Sequence, residues 1–394
     1  MGRTEPSVGR PPAAFRKDAR AKKARATLNQ VIPSLLSAHP RARRGIDAAE
    51  LILNPPHLKP AAADEKKRNQ DQSGGSPEPS SPRIALQVAD TLPAAQSLLT
   101  RETSSGITAD LSNKNARVAI LNMASPLSPG GGFLNGAGSQ EESLCMRTTL
   151  LPSLKDEYYR LPELGAVFTP DVLVFRDESA DQVLDKNDRW FVDCITAAMP
   201  RGPEIDVDDL GRGSYAHDKD RELVLQKMRM VMRVCQTKGV KRVVLGAWGC
   251  GAYGNPVGEV ARAWRKVLLP RKDAKGKQKG LKETWDGVED VVFAIKDPGM
   301  AEAFATAFGE GLVREAPIDE KDEEDEEADP DEIKRKELKD KIQQLEQRIE
   351  AATNPQVKEG LRSILEGLKK QLPEDNSNSP KEDLSSEEDA DEEN

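Results

Sequence analysis

Histidine, cysteine pairs and long apolar runs are what this sequence has least of, and each scarcity removes a class of chemistry. The three histidines, His39, His57 and His217, stand far from one another and from any second ligand type at metal-binding spacing. A histidine-ligated metal centre and a Ser-His-Asp triad are therefore not expected, and no cofactor is implied. Four cysteines (Cys145, Cys194, Cys235, Cys250) include no CxxC pair, which gives neither a zinc site nor a disulfide framework. That usage predicts a reducing, intracellular setting, nucleus or cytoplasm. No apolar run approaches the ~18 residues of a membrane span, and no signal-peptide core opens the chain, so no membrane partner is expected. Aromatic residues make up only 4% of the chain against 32% charged residues, so part of it is expected to lie outside any packed core.

The charge is unevenly placed. From Gly311 onward there are about 28 acidic and about 13 basic residues, so the formal net charge of -9 conceals a basic remainder. Residues 1–14 read as disordered. The stretch from Phe15 to about Ser37 is helical and basic, with a break predicted at Pro33. Its cluster Arg16, Lys17, Arg20, Lys22, Lys23 and Arg25 is either a solvated helix face or a patch for a polyanion. Residues 54–83 are rich in Pro, Gly, Ser and charge and read as a flexible insertion. Residues 311–332 form an acidic linker. Residues 333–371 carry Leu338, Ile342, Leu345 and Ile349 at heptad spacing, then a turn at Asn354-Pro355 and a second apolar stripe. That pattern predicts a helical hairpin for self-association or a protein partner. The tail, 372–394, is acidic and disordered.

Between these ends the pattern is one of apolar runs separated by helical segments. Strands are predicted at 116–125, 171–177, 190–199, 241–248 and 289–295, with a short strand and a helix in 84–99. Helices are predicted at 140–152, 218–238, 257–269 and 299–309, and loops at 201–216 and 271–280. Near-continuous apolar strands imply a sheet buried on both faces. Helices between them give a three-layer α/β/α domain with a mixed sheet, over residues 15–310.

Two glycine loops follow predicted strands at their carboxyl ends, where open α/β sheets place ligands. LGAWGCGAYGNPVGEV (245–260) contains GxGxxG at Gly249, Gly251 and Gly254. A dinucleotide site is one reading; against it, basic residues dominate where the ribose-binding acid belongs. The chemical inference is narrower: backbone N–H groups freed by glycine make a nest for a phosphate or diphosphate. Tyr253 either stacks on a ligand or packs. Cys250 reads as a small packing residue, with no basic neighbour to activate it.

The other loop supplies Asn122 and Ser125 at a strand end, then Gly130-Gly131-Gly132, then Gln140-Glu141-Glu142. Glycines let a backbone approach a ligand closely, and paired glutamates suit acid/base work. Ser139-Gln140-Glu141-Glu142 is also S-x-x-E, a capping box. Spacing alone leaves both meanings open, with the cap favoured.

GGG, seven residues and QEE, within LNMASPLSPGGGFLNGAGSQEESLCMRTTL, resemble the signature of the microbial-type poly(ADP-ribose) glycohydrolases, as do DVLVFRD, ITAAMP and VLGAWGCGAYGNP. The resemblance covers roughly residues 15–310 and implies a macrodomain-like fold that binds ADP-ribose. It implies hydrolysis of the ribose–ribose bonds of poly(ADP-ribose), with poly(ADP-ribose) or ADP-ribosylated proteins as partners. Carried over position by position, Glu142 becomes the general acid/base and Glu141 the holder of ribose hydroxyls. Asn122, Gly130, Gly131, Gly132 and Gln140 would shape the ribose and diphosphate pocket. Gly249, Gly251, Ala252, Tyr253 and Gly254 would form the diphosphate loop. Met123, Pro126 and Leu127 depart from the family wording and would alter ribose contacts. A macrodomain that binds ADP-ribose without turnover is the alternative. A nicotinamide-dependent oxidoreductase is the third reading, disfavoured by the lack of a second catalytic domain.

Overall fold

The computed structural model describes residues 13–56, 82–103, 106–178, 182–209, 211–269, 271–272, 278–279 and 283–316. The predicted helical hairpin, the acidic tail and residues 57–81 of the predicted insertion lie outside them. Three helices open the described chain: α1 (Ala13–Ala26), α2 (Ile32–Ala38) and α3 (Pro40–Asp47). The break predicted at Pro33 is absent. A π-helical turn, Thr27–Val31, joins α1 to α2 without a loop, and Pro33 falls in the first turn of α2. A proline lacks an N–H and crowds the carbonyl four residues back. The wider π turn opens the helix at that place, so the chain continues helical.

Next come β1 (Glu50–Leu53), β2 (Arg83–Gln87), α4 (Thr91–Ser97), the hairpin β3 (Thr100–Thr103) and β4 (Gly106–Ala109), and β5 (Val118–Met123). Then follow α5 (Gln140–Arg147), β6 (Gly165–Val174) and β7 (Trp190–Ala197). The second half holds β8 (Ile205–Val207), β9 (Gly213–Tyr215), α6 (Asp218–Lys238), β10 (Arg242–Leu245) and α7 (Val257–Leu268). The short ladder β11 (Arg271–Lys272) and β12 (Gln278–Lys279), β13 (Asp290–Ala294), α8 (Pro298–Phe308) and β14 (Val313–Arg314) complete it.

Eight strands form one mixed sheet in the order β1-β6-β7-β5-β10-β13-β2-β14. β6 runs antiparallel to β1 and β7, and all other neighbours are parallel. Alternate residues of the central strands enter two different cores, as the side-chain period of two requires. Ala119, Leu121, Val243, Leu245, Val291 and Phe293 pack with α6, α7 and α8. Val118, Ile120 and Val244 face the opposite core, with α4 and Leu144 of α5. This is the predicted three-layer α/β/α arrangement. The first core is the more aromatic: Trp248, Trp264, Phe293, Phe304 and Phe308 are fully buried together. Each such side chain is worth about 1.5–3 kcal/mol of burial.

Four predicted boundaries shift, each for a local reason. The strand predicted at 171–177 is the second half of β6, whose pairing is irregular between Thr169 and Val172. The predicted strand began at Asp171, whereas Thr169-Pro170-Asp171 is a bulge inside β6, with Asp171 at φ 53°. The helix predicted at 140–152 stops at Arg147, because Thr148 turns extended and bridges to Val174. The loop predicted at 201–216 contains the β8–β9 hairpin. The sheet also runs past residue 310: β14 pairs with β2, and the Glu315 N–H donates to Leu86 O at 3.0 Å.

Candidate active site

β5 and β10 are parallel neighbours, so the loops that leave their carboxyl ends emerge side by side. The first runs from Ala124 to Ser139, and α5 begins at Gln140. Ser139 caps α5, and Glu142 closes the capping box by accepting the Ser139 N–H at 3.1 Å through Oε2. The structural meaning of S-x-x-E is therefore realised. It does not exhaust Glu142, whose other oxygen, Oε1, accepts the Gly132 N–H at 2.8 Å.

Glu141 points to the strand. Its Oε2 accepts the Ser125 N–H at 2.7 Å, its Oε1 lies 3.4 Å from Nδ2 of Asn122, and the Gly130 N–H also donates to it. Burial pushes the Glu141 carboxyl up to about 8, although all three donors oppose the shift. Successive residues on a helix diverge by about 100°, yet here the two carboxylates converge on Gly131. A Cβ at Gly131 would lie 2.7 Å from Oε1 of Glu142 and 2.8 Å from Oε2 of Glu141, and its φ is +57°. Only glycine meets both demands.

Two residues expected to shape a ligand pocket are turned inward. The Gln140 amide donates to Leu121 O at 2.8 Å and to Thr91 Oγ1 at 3.1 Å, and its oxygen accepts the Met123 N–H at 2.9 Å. It ties α5 to β5 and α4 rather than facing open space. Asn122 is fully buried between Glu141 and Thr196, and its Oδ1 has no partner among the described residues.

The second loop, 246–256, has the opposite character. The N–H groups of Cys250, Gly254 and Asn255 close turns onto Ala247, Gly251 and Gly249. Those of Gly251, Ala252 and Tyr253 have no acceptor among the described residues. Gly251, Ala252 and Gly254 are exposed. Three acceptor-free N–H groups on adjacent residues fit the nest expected for a phosphate group. Burial pushes the Cys250 thiol up to about 12, which suits a packing residue and opposes a reactive one.

Sequence reasoning missed what holds this second loop. Asn255, buried, donates from Nδ2 to Pro200 O (2.9 Å) and Gly249 O (3.0 Å) and accepts the Tyr215 hydroxyl at 2.8 Å. The β8–β9 hairpin supplies Tyr215, and the loop after β7 supplies Pro200 and the Arg201 guanidinium, 5.9 Å from the Tyr253 ring centroid. Tyr253 is half-buried and hydrogen-bonds Ser125, so it joins the two glycine loops. Tyr159 was also missed: its buried hydroxyl has no partner among the described residues, burial raises its pKa, and Glu141 and Tyr253 contribute to that shift. No local pattern in the sequence marked Tyr215, Asn255 or Tyr159.

α1 covers the far side of the first loop. Arg20 Nε donates to Gly136 O at 2.9 Å, and Ala24 packs with Phe133 and Cys145. Among the described residues, no group of three or more His, Cys, Asp or Glu side chains is placed to hold a metal ion.

Residues 55–177 match the family described as microbial-type PARG, catalytic domain, PARG being poly(ADP-ribose) glycohydrolase. No curated protein matches the chain in sequence. Among solved structures, the chain resembles the poly(ADP-ribose) glycohydrolase of Thermomonospora curvata, with 25% identity, a TM-score of 0.53 and coverage of 74% of this chain and 100% of that one. The same enzyme bound to the inhibitor ADP-HPD matches with 25% identity, a TM-score of 0.51 and coverage of 74% and 98%. Over residues 55–177 this chain is similar in sequence to the microbial-type poly(ADP-ribose) glycohydrolase catalytic domain, and over 74% of its length its fold resembles a solved poly(ADP-ribose) glycohydrolase.

Proposed function

We propose that the chain hydrolyses the ribose–ribose O-glycosidic bonds of poly(ADP-ribose) and releases ADP-ribose. The observation that carries this reading is the convergence of Glu141 and Glu142 on Gly131, beside the loop after the neighbouring strand, where three N–H groups have no acceptor among the described residues. The nest at 251–253 takes the diphosphate. That sets the glycosidic bond at the first loop, where Glu142 gives a proton to the departing ribose 2′-oxygen as the C–O bond breaks and its electron pair leaves with that oxygen. Water then attacks the oxocarbenium-like carbon and returns its proton to Glu142. Both carboxylates stand on one side of the site, so they are not the opposed pair of ordinary glycosidases. Glu141 positions ribose hydroxyls, with Asn122 behind it; the N–H groups of Gly130 and Gly132 hold the carboxylates, and Gln140 anchors the start of α5 to β5.

One observation favours the alternative, an ADP-ribose-binding module without turnover: both oxygens of Glu142 already accept backbone N–H groups. The deciding assay measures free ADP-ribose released from poly(ADP-ribosyl)ated protein by wild type and by Glu142→Gln. Release by wild type alone supports hydrolysis. No release by wild type, with ADP-ribose still bound, makes the chain a reader. The four unpaired thiols support an intracellular setting. The heptad pattern of 338–352 supports self-association through 333–371, which analytical ultracentrifugation of the full chain with and without 317–394 tests.

A further inference from the structure

The loops described above leave the carboxyl ends of β5, β7 and β10. At the amino ends of β5 and β7 lies a separate cleft of about 240 Å³, lined by Arg41 and Arg44 of α3, Lys114 and Arg117 before β5, Asp171 in the β6 bulge and Asp193 of β7. Four cations meet two carboxylates there. Asp171 is taken: its Oδ1 receives Nε and Nη2 of Arg41, at 2.7 and 2.6 Å, and Arg41 also lies over the Phe191 ring at 4.1 Å. Asp193 accepts the Asp171 N–H at 3.0 Å and stands 3.8 Å from Arg117, and burial raises its carboxyl pKa. Arg117 otherwise donates to the carbonyls of Lys238 and Gly239, which neutralise no charge. Arg44 and Lys114 are exposed, and neither has a carboxylate within ion-pair distance among the described residues. Among the described residues, two of the three non-glycine residues with positive φ, Arg117 and Asp171, also line this cleft. Held in a sparsely populated conformation, they fix the floor between β5 and β6.

We propose that this cleft is a second anion site, one that takes a diphosphate group of a nucleotide polymer. Two uncompensated cations from different elements call for an anion with two charge centres, and arginine matches phosphate oxygens in geometry as well as charge. The cleft is smaller than the few hundred Å³ that enclose a whole nucleotide-sized ligand, so the sugar and base remain outside and only the diphosphate enters. β5 alone separates the two sites by about 17 Å, so one diphosphate cannot reach both. A polymer with a diphosphate in every repeat can, and occupancy of the rear cleft then raises the effective concentration of chain at the front. The proposal rests on the substrate reading above.

The test uses the full chain and the variant Arg44→Glu/Lys114→Glu, with Arg44→Gln/Lys114→Gln as a milder second pair and Arg262→Glu/Lys266→Glu on α7 as a charge-matched control. On long poly(ADP-ribose) the rear pair is expected to raise KM at least five-fold with kcat unchanged. On a dimer of ADP-ribose, too short to span, KM stays at the wild-type value. The control pair shifts neither by more than two-fold. Equal KM values on long chains for wild type and the rear pair, or an equal rise with the control pair, overturn the proposal. If wild type hydrolyses nothing, the substrate reading fails separately, and binding of fluorescent long polymer still decides the cleft. Weaker binding and a shallower salt dependence in the rear pair alone support it; identical binding and slope overturn it.

Discussion

The two glycine loops of this protein use the same residue for opposite ends. In the first, the N–H groups of Gly130 and Gly132 turn inward and hold the two glutamates of α5. Gly131 is needed because two carboxylates press against the place a side chain would fill. In the second, a Cβ at Gly251 or Gly254 would meet nothing within 4 Å, and the N–H groups of residues 251–253 have no acceptor among the described residues. The first loop is a finished site whose ligands belong to the protein itself. The second leaves the Gly251, Ala252 and Tyr253 N–H groups without an acceptor among the described residues, which supports the proposed diphosphate there. Glycine content alone cannot tell these two cases apart, since both read as ligand loops in sequence.

The comparison breaks most visibly through Glu142. Glu142→Gln keeps the shape of the side chain and one acceptor oxygen, so the first loop should stay folded while hydrolysis falls by ~10²–10⁴-fold. Isothermal titration with ADP-ribose is expected to show binding within a few-fold of wild type. Hydrolysis retained in Glu142→Gln returns this glutamate to a purely capping role. A matching loss of ADP-ribose binding means instead that the first loop, like the second, is a ligand-holding surface.

Glu141 offers a test by pH. Its carboxyl titrates near 8 in the fold and near 4.5 when unfolded, so between those values the folded protein binds more protons. The sign follows: the contribution to stability is fully present below about 4.5, declines as pH rises, and is lost above about 8. The slope approaches ~1.4 kcal/mol per pH unit at its steepest. Thermal melts of wild type and Glu141→Gln at pH 5, 6.5 and 8 should diverge, with wild type losing a few kcal/mol more over that span. Parallel curves show that the Ser125, Gly130 and Asn122 donors already hold Glu141 as a carboxylate at pH 5.

A smaller and more direct comparison places alanine at Gly131 and at Gly251. At Gly131 the cost combines a left-handed backbone, about 1–2 kcal/mol, with displacement of both carboxylates, so stability and activity fall together. At Gly251 the φ is not in the left-handed region and the space is open, so denaturant melts should be unchanged within ~0.5 kcal/mol. Only ADP-ribose affinity is expected to suffer there, because a methyl group intrudes on the nest. Destabilisation at both positions to the same degree would remove the distinction between the loops.

The layers of the fold were legible because apolar runs such as Val243-Val244-Leu245 and Val291-Val292-Phe293 can only sit in a sheet covered on both faces. The α6 stripe of Val224, Met228, Val231 and Cys235 was equally readable. The bulge at Pro170-Asp171 was not, since a turn and a bulge carry the same residues and differ only in what pairs across from them. In the site, spacing marked Gly130–Gly132 as a close-approach loop and Glu142 as half of a capping box. Only the family resemblance implied roles for Glu141 and Glu142, while Asn255, Tyr215 and Tyr159 were not singled out at all. These three come from separate elements, and the sheet order that gathers them is set by long-range packing rather than by any local pattern. Gln140 shows the converse: the family resemblance implied a place in the ligand pocket, but the end of β5 and the start of α4 give it three partners.

The smallest effect lies where the loops touch, at the hydrogen bond between Tyr253 and Ser125. Ser125 also gives its backbone N–H to Glu141, so the tyrosine reports on the first loop from a position in the second. If the contact couples the loops, Tyr253→Phe and Ser125→Ala should each cost about 1 kcal/mol in ADP-ribose affinity. The double variant should then cost little more than either alone, leaving an interaction energy of roughly 0.5–1.5 kcal/mol in the cycle. Additive losses mean that each residue meets the ligand or the core independently, and that the two loops are joined only by the strands beneath them. The Arg201 guanidinium beside the ring separates the remaining cases. Tyr253→Phe keeps that stacking, whereas Tyr253→Leu removes it, so a larger loss in the leucine variant assigns the ring a second role apart from its hydroxyl.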